Sequence, residues 1–378
     1  GCTRTTSAPD HHGTSPLDLV GPALHSAQYL STMSPMPPFG TPRPLNLRAR
    51  SCILPILLVL LAFPSGAQTT VSSLGEPYVV DQWTVNNGLP QNTIASIVQT
   101  ADGFLWLGTN GGLVRFDGVR FHTFDRLSSE DGRAHRVTTL VEGLDSSLWV
   151  GTEDGQLFRY RGGDFTPMIH RGHNEPQWPI LSMGMDSSGL VWLGRARMGL
   201  ARVMATFDRG DTIVQASLQP EWPQPVVTVV RASPDGTLWI GGAGVAQLLG
   251  AGMQTYPLPD VRPDVVVTGL SFDKAGEVWV GTSDLRLFRR VQRQFVEVPV
   301  STLQPQYAFD EVLSARRPEL MAAVRSGILR FLNGRFYRTG TPGWEQAVHV
   351  RSVRADREGN MWLGTAQDGL VRIRRSTF

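Results

Sequence analysis

The tetrapeptide Trp106-Leu107-Gly108-Thr109 returns along this chain at a spacing of about 42 residues, and that recurrence constrains the fold more than any other feature. It reappears as Trp149-Val150-Gly151-Thr152, Trp192-Leu193-Gly194, Trp239-Ile240-Gly241, Trp279-Val280-Gly281-Thr282 and Trp362-Leu363-Gly364-Thr365. Between Trp279 and Trp362 lie two periods. Leu320 stands where the intervening tryptophan belongs, and Gly327-Ile328-Leu329-Arg330-Phe331 follows it on schedule. The count is therefore seven. A period of roughly 40–50 residues built from about four short strands is the mark of a β-propeller blade.

The first repeat shows the parts most clearly. Ile94–Gln99 is a β-branched run suited to an inner strand, and Ala101-Asp102-Gly103 supplies a turn. Phe104–Gly108 reads as the second strand, Thr109-Asn110-Gly111 as the next turn and Gly112–Phe116 as the third strand. Asp117-Gly118 is a strong hairpin signal, which leaves Val119–Phe124 as the outer strand. Nothing in the repeats has a helical period. The fold class is all-β, a seven-bladed propeller.

The recurring residues have physical reasons. A glycine three places before the tryptophan (Gly103, Gly189, Gly236, Gly276, Gly359) suits a turn position with positive φ. An aspartate six places before it (Asp186, Asp273, Asp356) can bond the amides of its own turn. The tryptophan is expected between neighbouring blades, because a single thin sheet cannot bury its own faces. Gly108 and its equivalents would then permit close approach where strands crowd the axis. The strand arginines Arg115, Arg159, Arg202, Arg289, Arg330 and Arg372 recur once per blade, so they read as structural, bonding turn carbonyls or a neighbouring blade's aspartate.

The ends predict how the ring closes. The seventh repeat supplies an inner strand near Val350–Ala355, a second at Met361–Thr365 and a third at Gly369–Arg374, then stops at Phe378. Upstream, Tyr78–Val85 precedes Asn87-Gly88-Leu89-Pro90 as one strand too many. The expectation is that 78–85 completes the last blade. Such closure removes exposed strand edges, and a failure of 78–85 to pair with 369–374 would leave the ring open.

The propeller region spans 78–378. Residues 1–47 are Pro- and Ser-rich without strand patterning and read as a disordered or non-native leader, with Met33 or Met36 as alternative starts. Residues 48–67 have the layout of a secretory signal: Arg48 and Arg50, the apolar run Ile53–Ala62, then Ser65-Gly66-Ala67 before Gln68. The apolar run is too short to span a bilayer, although an uncleaved anchor is the other reading. Cys2 and Cys52 both precede the expected cut, so the mature chain would hold no disulfide or cysteine metal site. Removing Arg4, Arg43, Arg48, Arg50, Asp10 and Asp18 leaves 31 basic and 31 acidic residues. A neutral domain lacks the electrostatic footprint of a nucleic-acid binder.

The stretch Gly88-Leu89-Pro90-Gln91-Asn92, then Gln99, then Asp102 to Thr109, then Gly112 to Gly118 resembles the two-component regulator propeller repeat. The resemblance is strong in repeats one and seven, good in two, three and five, weaker in four, where Gln247 replaces the usual arginine, and poor in six. It implies the extracytoplasmic, ligand-sensing portion of a bacterial membrane receptor. Family members typically continue into an immunoglobulin-like domain, a transmembrane helix and a cytoplasmic output, often a histidine kinase and sometimes a diguanylate cyclase. This chain ends inside the seventh blade, so it reads as a fragment of such a receptor, or else as a free exported propeller. The implied partners are a small-molecule or oligosaccharide ligand and a membrane-anchored output domain, with no nucleic acid; a homodimer stays open.

Ligand sites on propellers tend to lie on the face built from the hairpins between second and third strands and the loops between blades. The hairpins offer Asn110, Glu153, Asp154, Arg195, Arg197, Asp284, Arg325, Gln367 and Asp368. The inter-blade loops offer Trp178, Trp222 and Trp344, which are not part of the repeat signature. Aromatic platforms among polar groups suit sugar rings or small amphipathic ligands, and Arg195 and Arg197 suit an anion or carboxylate. The bland alternative is that these tryptophans plug gaps between loops and that the arginines are solvated. The candidate ligand-binding set is thus Trp178, Arg195, Arg197, Trp222, Arg325 and Trp344.

Catalytic and metal-binding signals are weak, and no cofactor is implied. His170 and His173 lie three apart in a loop without a third ligand, and neither a Gly-x-Ser-x-Gly elbow nor a phosphate loop occurs. The Asp-x-x-Gly-x-x-Trp turns resemble the aspartate boxes of sialidase-like enzymes, and streptogramin lyases are propellers with related turns, but such turns are scaffold. Two readings compete with the sensor: an exported lyase or glycosidase, which needs an acid/base pair on one face, and a ligand-free scaffold or dimerisation module, which needs a large apolar rim patch.

Overall fold

The computed structural model describes residues 78–124, 127, 134–168, 178–208, 211–218, 226–250, 252–273, 275–298, 309–314, 320–324, 327–332, 335–338 and 349–375, with backbone alone for 78, 204–208, 211–218, 309–314, 320–324, 327–332, 335–338 and 375. Contacts divide the chain at Ala67–Gln68, and both the leader and the signal-like segment lie outside the described residues.

The protein is an all-β propeller. A strand β1 (Tyr78–Trp83) comes first, followed by a single 3-10 turn at Val85–Asn87. The first repeat gives β2 (Ile94–Gln99), β3 (Leu105–Thr109), β4 (Gly112–Phe116) and β5 (Phe121–Thr123). The second gives β6 (Val137–Glu142), β7 (Leu148–Thr152), β8 (Leu157–Arg161) and β9 (Asp164–Pro167). In the third are β10 (Ile180–Met185), β11 (Val191–Arg195), β12 (Gly199–Asp208) and β13 (Asp211–Leu218). The fourth holds β14 (Val227–Ala232), β15 (Leu238–Gly242), β16 (Val245–Leu249) and β17 (Gly252–Tyr256). The fifth holds β18 (Val267–Phe272), β19 (Val278–Thr282), β20 (Leu287–Val291) and β21 (Gln294–Glu297). Then come β22 (Phe309–Ser314), β23 (Leu320–Val324), β24 (Gly327–Leu332) and β25 (Arg335–Arg338), and finally β26 (Val350–Ala355), β27 (Met361–Thr365) and β28 (Leu370–Arg375).

Among the described residues these strands pair as seven four-stranded antiparallel sheets, each in chain order except one, which runs β1-β28-β27-β26. Six of the sheets carry described side chains; the sheet formed by β22 to β25 is described by its backbone pairing. In the last sheet Tyr78 stands opposite Arg375 and Trp83 opposite Leu370. Asp81 is directly opposite Arg372, whose Nε and Nη2 donate to its Oδ2 at 3.0 and 2.8 Å. The first strands of the sheets lie side by side in the order β2, β6, β10, β14, β18, β22, β26 and back to β2. The outer strand of the first repeat is shorter than its sequence suggests. Asp117 Oδ1 accepts from the amides of Val119 and Arg120 at 2.8 and 2.6 Å, which holds these residues in a turn until the ladder begins at Phe121.

The signature tryptophans join one blade to the next, as their apolar bulk requires. Trp106 packs with Val137, Leu140, Leu148 and Val150 of the second sheet, and Trp149 with Ile180, Met183, Val191 and Leu193 of the third. Trp192 packs with Val227, Val230 and Ile240 of the fourth, and Trp239 with Val267, Leu270 and Phe288 of the fifth. Trp362 of the last sheet packs with Ile94, Ile97 and Leu107 of the first. Burying a tryptophan removes about 150–250 Å² from water, which at about 25 cal/mol per Å² gives an upper bound of about 4–6 kcal/mol for each.

The glycine two residues after each tryptophan makes that approach possible. A Cβ on Gly108 would lie 2.7 Å from Val137 Cγ1, on Gly241 2.6 Å from Val267 Cγ1, and on Gly364 2.7 Å from Ile94 Cγ2. In each case the first residue of the next blade's inner strand stands in the way, joined at Gly364 by Ser352 Oγ of its own blade. At Gly194 the obstacle includes backbone, because Val227 O would be 2.9 Å away. Gly194→Ala should therefore lower stability by about 1–3 kcal/mol. Gly244→Ala, where the added carbon meets nothing within 4 Å, serves as the matched control in thermal denaturation. Equal melting temperatures for the two variants would refute the close-packing account.

Candidate ligand-binding face and axial channel

The turn between first and second strands is built as the sequence suggests, with an addition. Gly103, Gly189, Gly236, Gly276 and Gly359 all take positive φ, between 80° and 93°. The second repeat lacks the glycine, and Ser146 adopts φ 60° in its place. Asp186 Oδ1 accepts from the amides of Ser188 and Leu190, while its Oδ2 accepts from Trp192 Nε1 at 2.8 Å. Trp279 bonds Asp273 at 3.3 Å and Trp362 bonds Asp356 at 2.8 Å in the same way. The aspartate thus satisfies both its own turn and the one polar atom of the buried indole.

The once-per-blade arginines stand directly opposite the tryptophans in the ladder: Arg115 opposite Trp106, Arg159 opposite Trp149, Arg289 opposite Trp279, Arg372 opposite Trp362. Their guanidinium carbons sit 5.4 to 5.8 Å from those rings. Arg159 pairs with Asp145, and Arg289 with Asp273 at 3.5 Å. These partners belong to the arginine's own blade, which corrects the expectation of a neighbour's aspartate. The reason is the ladder register, which places the arginine over its own blade's turn. In the fourth repeat Gln247 faces Trp239 and accepts from the Tyr256 hydroxyl at 2.8 Å; the guanidinium over Trp239, at 5.0 Å, is Arg290 of the fifth sheet.

On the hairpin face, the structure brings two of the sequence candidates together. Arg197 stacks over the Trp178 ring at 4.9 Å, with Arg197 itself at φ 61°. Both flank Arg195, the last residue of β11, which pairs in register with Ile180 of β10. Trp222, Arg325 and Trp344, like His170 and His173, lie outside the described residues. Several other hairpin candidates are engaged by neighbouring side chains. His135 Nδ1 lies 2.8 Å from Asp154 Oδ2, Arg136 pairs with Glu153 at 3.2 Å, and Thr282 Oγ1 donates to Asp284 at 2.5 Å. Among the described residues no group of three or more His, Cys, Asp or Glu is placed to hold a metal, and no helix is long and apolar enough to cross a membrane.

Sequence reasoning missed the channel. The inner strands β2, β6, β10, β14, β18 and β26 enclose a cavity of about 610 Å³, within the usual range for small-molecule sites. Among the described residues its charged lining consists of Glu142, Arg231, Arg351 and Arg354. Every first strand carries a β-bulge at its second residue: Ala95, Thr138, Leu181, Thr228, Thr268, Asp310 and Arg351 have no partner in the ladder. Thr138 Oγ1 donates to Ile180 O of the next blade at 2.5 Å, and Thr228 Oγ1 to Val267 O at 2.6 Å. In the first and third blades the following serine serves instead, Ser96 Oγ accepting from Leu140 N at 3.1 Å and Ser182 Oγ from Val230 N at 3.0 Å. Aligning the seven first strands would have exposed the signal, since the first position is always apolar while the second runs from alanine to arginine.

Residues 88–111 match the family described as Two component regulator propeller. The chain carries a two component regulator propeller repeat. No curated protein sequence matches the chain. Among solved structures, the extracellular domain assigned to a hybrid two component system of B. thetaiotaomicron is 20% identical with a TM-score of 0.63, the match covering 79% of this chain and 42% of that one. The extracellular domain assigned to a one component system of the same organism is 19% identical, TM-score 0.61, covering 78% and 39%. A virginiamycin B lyase from Staphylococcus aureus is 12% identical, TM-score 0.64, covering 79% and 100%. At these identities the likeness is one of fold. The chain spans less than half the length of either sensor domain.

Asp145, Asp81, Asp186 and Glu297, in turns and blade contacts, are held below the ordinary carboxylate range. Burial opposes the charge on Asp145, but hydrogen bonds from Ser147 and the Arg159 guanidinium outweigh it and hold the carboxyl at about 2. Asp81 is lowered against the same opposition by Arg372 and Arg374, and Asp186 by Ser188 and Trp192. Glu297 is lowered by Arg286, which is raised in turn. A depressed folded-state pKa contributes stability that is present above the unfolded value and disappears as pH falls through the folded one. Melting temperature should thus be level above about pH 4.5 and fall between about pH 4 and pH 2. Asp145→Asn should flatten part of that fall, and an unchanged pH profile in this variant would contradict the assignment.

Proposed function

We propose that residues 78–378 form the ligand-sensing propeller of a bacterial signal-transduction receptor, a seven-bladed ring closed by β1. In this reading the domain is exported and lies outside the cytoplasm, and a membrane-anchored output, a histidine kinase or a diguanylate cyclase, belongs to the same parent protein. The observation that carries it is the regulator-propeller match at 88–111. The β1–β28 pairing and the cyclic order of the first strands support closure, and the fold likeness to extracellular domains of two component systems supports export. Ligand binding to one of two states would shift the output by its difference in affinity for them.

Two outcomes test this reading. Alkaline phosphatase fused after Phe378, a reporter active only outside the cytoplasm, should be active in a bacterial host; an inactive but stable fusion would exclude export. The parent reading frame should continue into a membrane-spanning segment and a signalling module. A stop codon at that point would sink the receptor.

The lyase likeness supports a second reading. A His→Ala variant of the Staphylococcus aureus lyase is described as catalytically inactive, and here His135 is oriented by Asp154 on the hairpin face. His135 is 9% exposed and its ring centroid lies 5.3 Å from that of Phe158, a placement that favours a packed clamp over a reagent.

A further inference from the structure

The seam between the first two blades holds a second cavity, of about 370 Å³, which shares no lining residue with the axial channel. That volume suits a small molecule. Arg115 of β4, His122 of β5 and Phe124 line it from the first blade, and Tyr160 of β8 and Phe165 of β9 from the second. The Phe124 ring centroid lies 5.4 Å from that of Tyr160 and 5.7 Å from that of Phe165, and His122 meets Phe124 edge-on at 4.8 Å. Phe124, Tyr160 and Phe165 also pack against the Trp106 cluster, yet all three stay only half-buried, which leaves aromatic surface to the cavity.

The charge at this seam breaks the pattern of the other blades. Arg159 has Asp145 as its counter-ion, Arg289 has Asp273 and Arg372 has Asp81. The fourth blade drops arginine and aspartate together, with Gln247 opposite Trp239 and Ser233 six places before it. The first blade drops only the aspartate. Thr100 stands at the position of Asp186, Asp273 and Asp356, and its hydroxyl accepts from Trp106 Nε1 at 3.0 Å. Asp102, which matches Asp145 in position, accepts instead from the Thr100 hydroxyl and the Phe104 amide. Among the described residues Arg115 has no carboxylate partner, and its guanidinium lies over the Phe104 ring at 4.5 Å. A ring beneath a guanidinium attracts its charge without taking up its N–H donors.

We propose that this cavity binds a small aromatic carboxylate, its headgroup on Arg115 and its ring against Phe124, Tyr160 and Phe165. A guanidinium matches the planar, two-oxygen geometry of a carboxylate better than a point cation does. Aromatic walls favour an aromatic guest beyond the area it covers, through edge and face contacts. The site goes beyond the receptor reading and does not depend on it, because binding is measured on the purified protein alone.

Phenylacetate is the probe, titrated calorimetrically at neutral pH, with phenylacetamide as the uncharged match and cyclohexylacetate as the match without an aromatic ring. Phenylacetate should bind saturably, phenylacetamide about tenfold more weakly or worse, and cyclohexylacetate about fivefold more weakly. Arg115→Gln installs the residue that the fourth blade carries at this position, and affinity for phenylacetate should fall about tenfold. Thr100→Asp supplies the missing counter-ion at the position from which Asp273 reaches Arg289. It should weaken phenylacetate about tenfold while the melting temperature holds or rises. Arg289→Gln removes the equivalent arginine of the fifth blade and should leave affinity unchanged. No saturable binding, either match binding as tightly as phenylacetate, unchanged affinity in Arg115→Gln or Thr100→Asp, or an equal loss in Arg289→Gln would each overturn the proposal.

Discussion

The fold depends on one recurring contact, a signature tryptophan set against the inner strands of the next blade, as Trp106, Trp149, Trp192, Trp239 and Trp362 show. A four-stranded sheet is too thin to exclude water from both faces. Its stability must come from a neighbour, and the indole is the bulkiest side chain in the apolar clusters formed between them. The exposed ion pairs of the blades, worth up to about 1 kcal/mol each, are minor beside it. They matter for another reason: the aspartate bonded to the indole nitrogen and the arginine lying over the ring fix the orientation of a group whose bulk would otherwise tolerate several.

The same contact explains why the repeat signature includes glycine. The indole draws two blades together, and a close approach falls two residues further on, against the first residue of the neighbouring inner strand. Ser96, Thr138, Ser182 and Thr228 then bridge the inner strands with hydroxyl groups, from either of two adjacent positions. Either position reaches the next strand's backbone, so a change from one to the other leaves the seam intact.

Much of this was legible in the sequence because it repeats. The spacing of Trp106, Trp149 and Trp192 gave the blade, and the glycine three places ahead gave the turn; both depend on local geometry that recurs with the residue. The partner of the indole nitrogen was not legible, since it requires knowing that Asp186 and Trp192 end up on one side of a turn. The owner of the arginine's carboxylate was misread for a related reason: sequence distance does not reveal ladder register. On the hairpin face Trp178 and Arg197 were picked out singly, and only the structure shows one lying over the other. The channel was hidden because its charged residues sit in strands whose pattern reads as core, and attention to what repeats passes over a position defined by variation.

That position carries a wider consequence. A bulge at the second residue of each first strand takes it out of the ladder, so its identity is uncoupled from strand pairing and from the packing of the indoles. Alanine, threonine, leucine and arginine all occupy it within this one chain. A fold arranged in this way lets that residue vary without changing the ladder, even though at Thr138 and Thr228 its hydroxyl also ties one blade to the next. Natural variation could then alter the lining of the channel blade by blade, as the wards of a lock are cut, without disturbing the barrel that contains them.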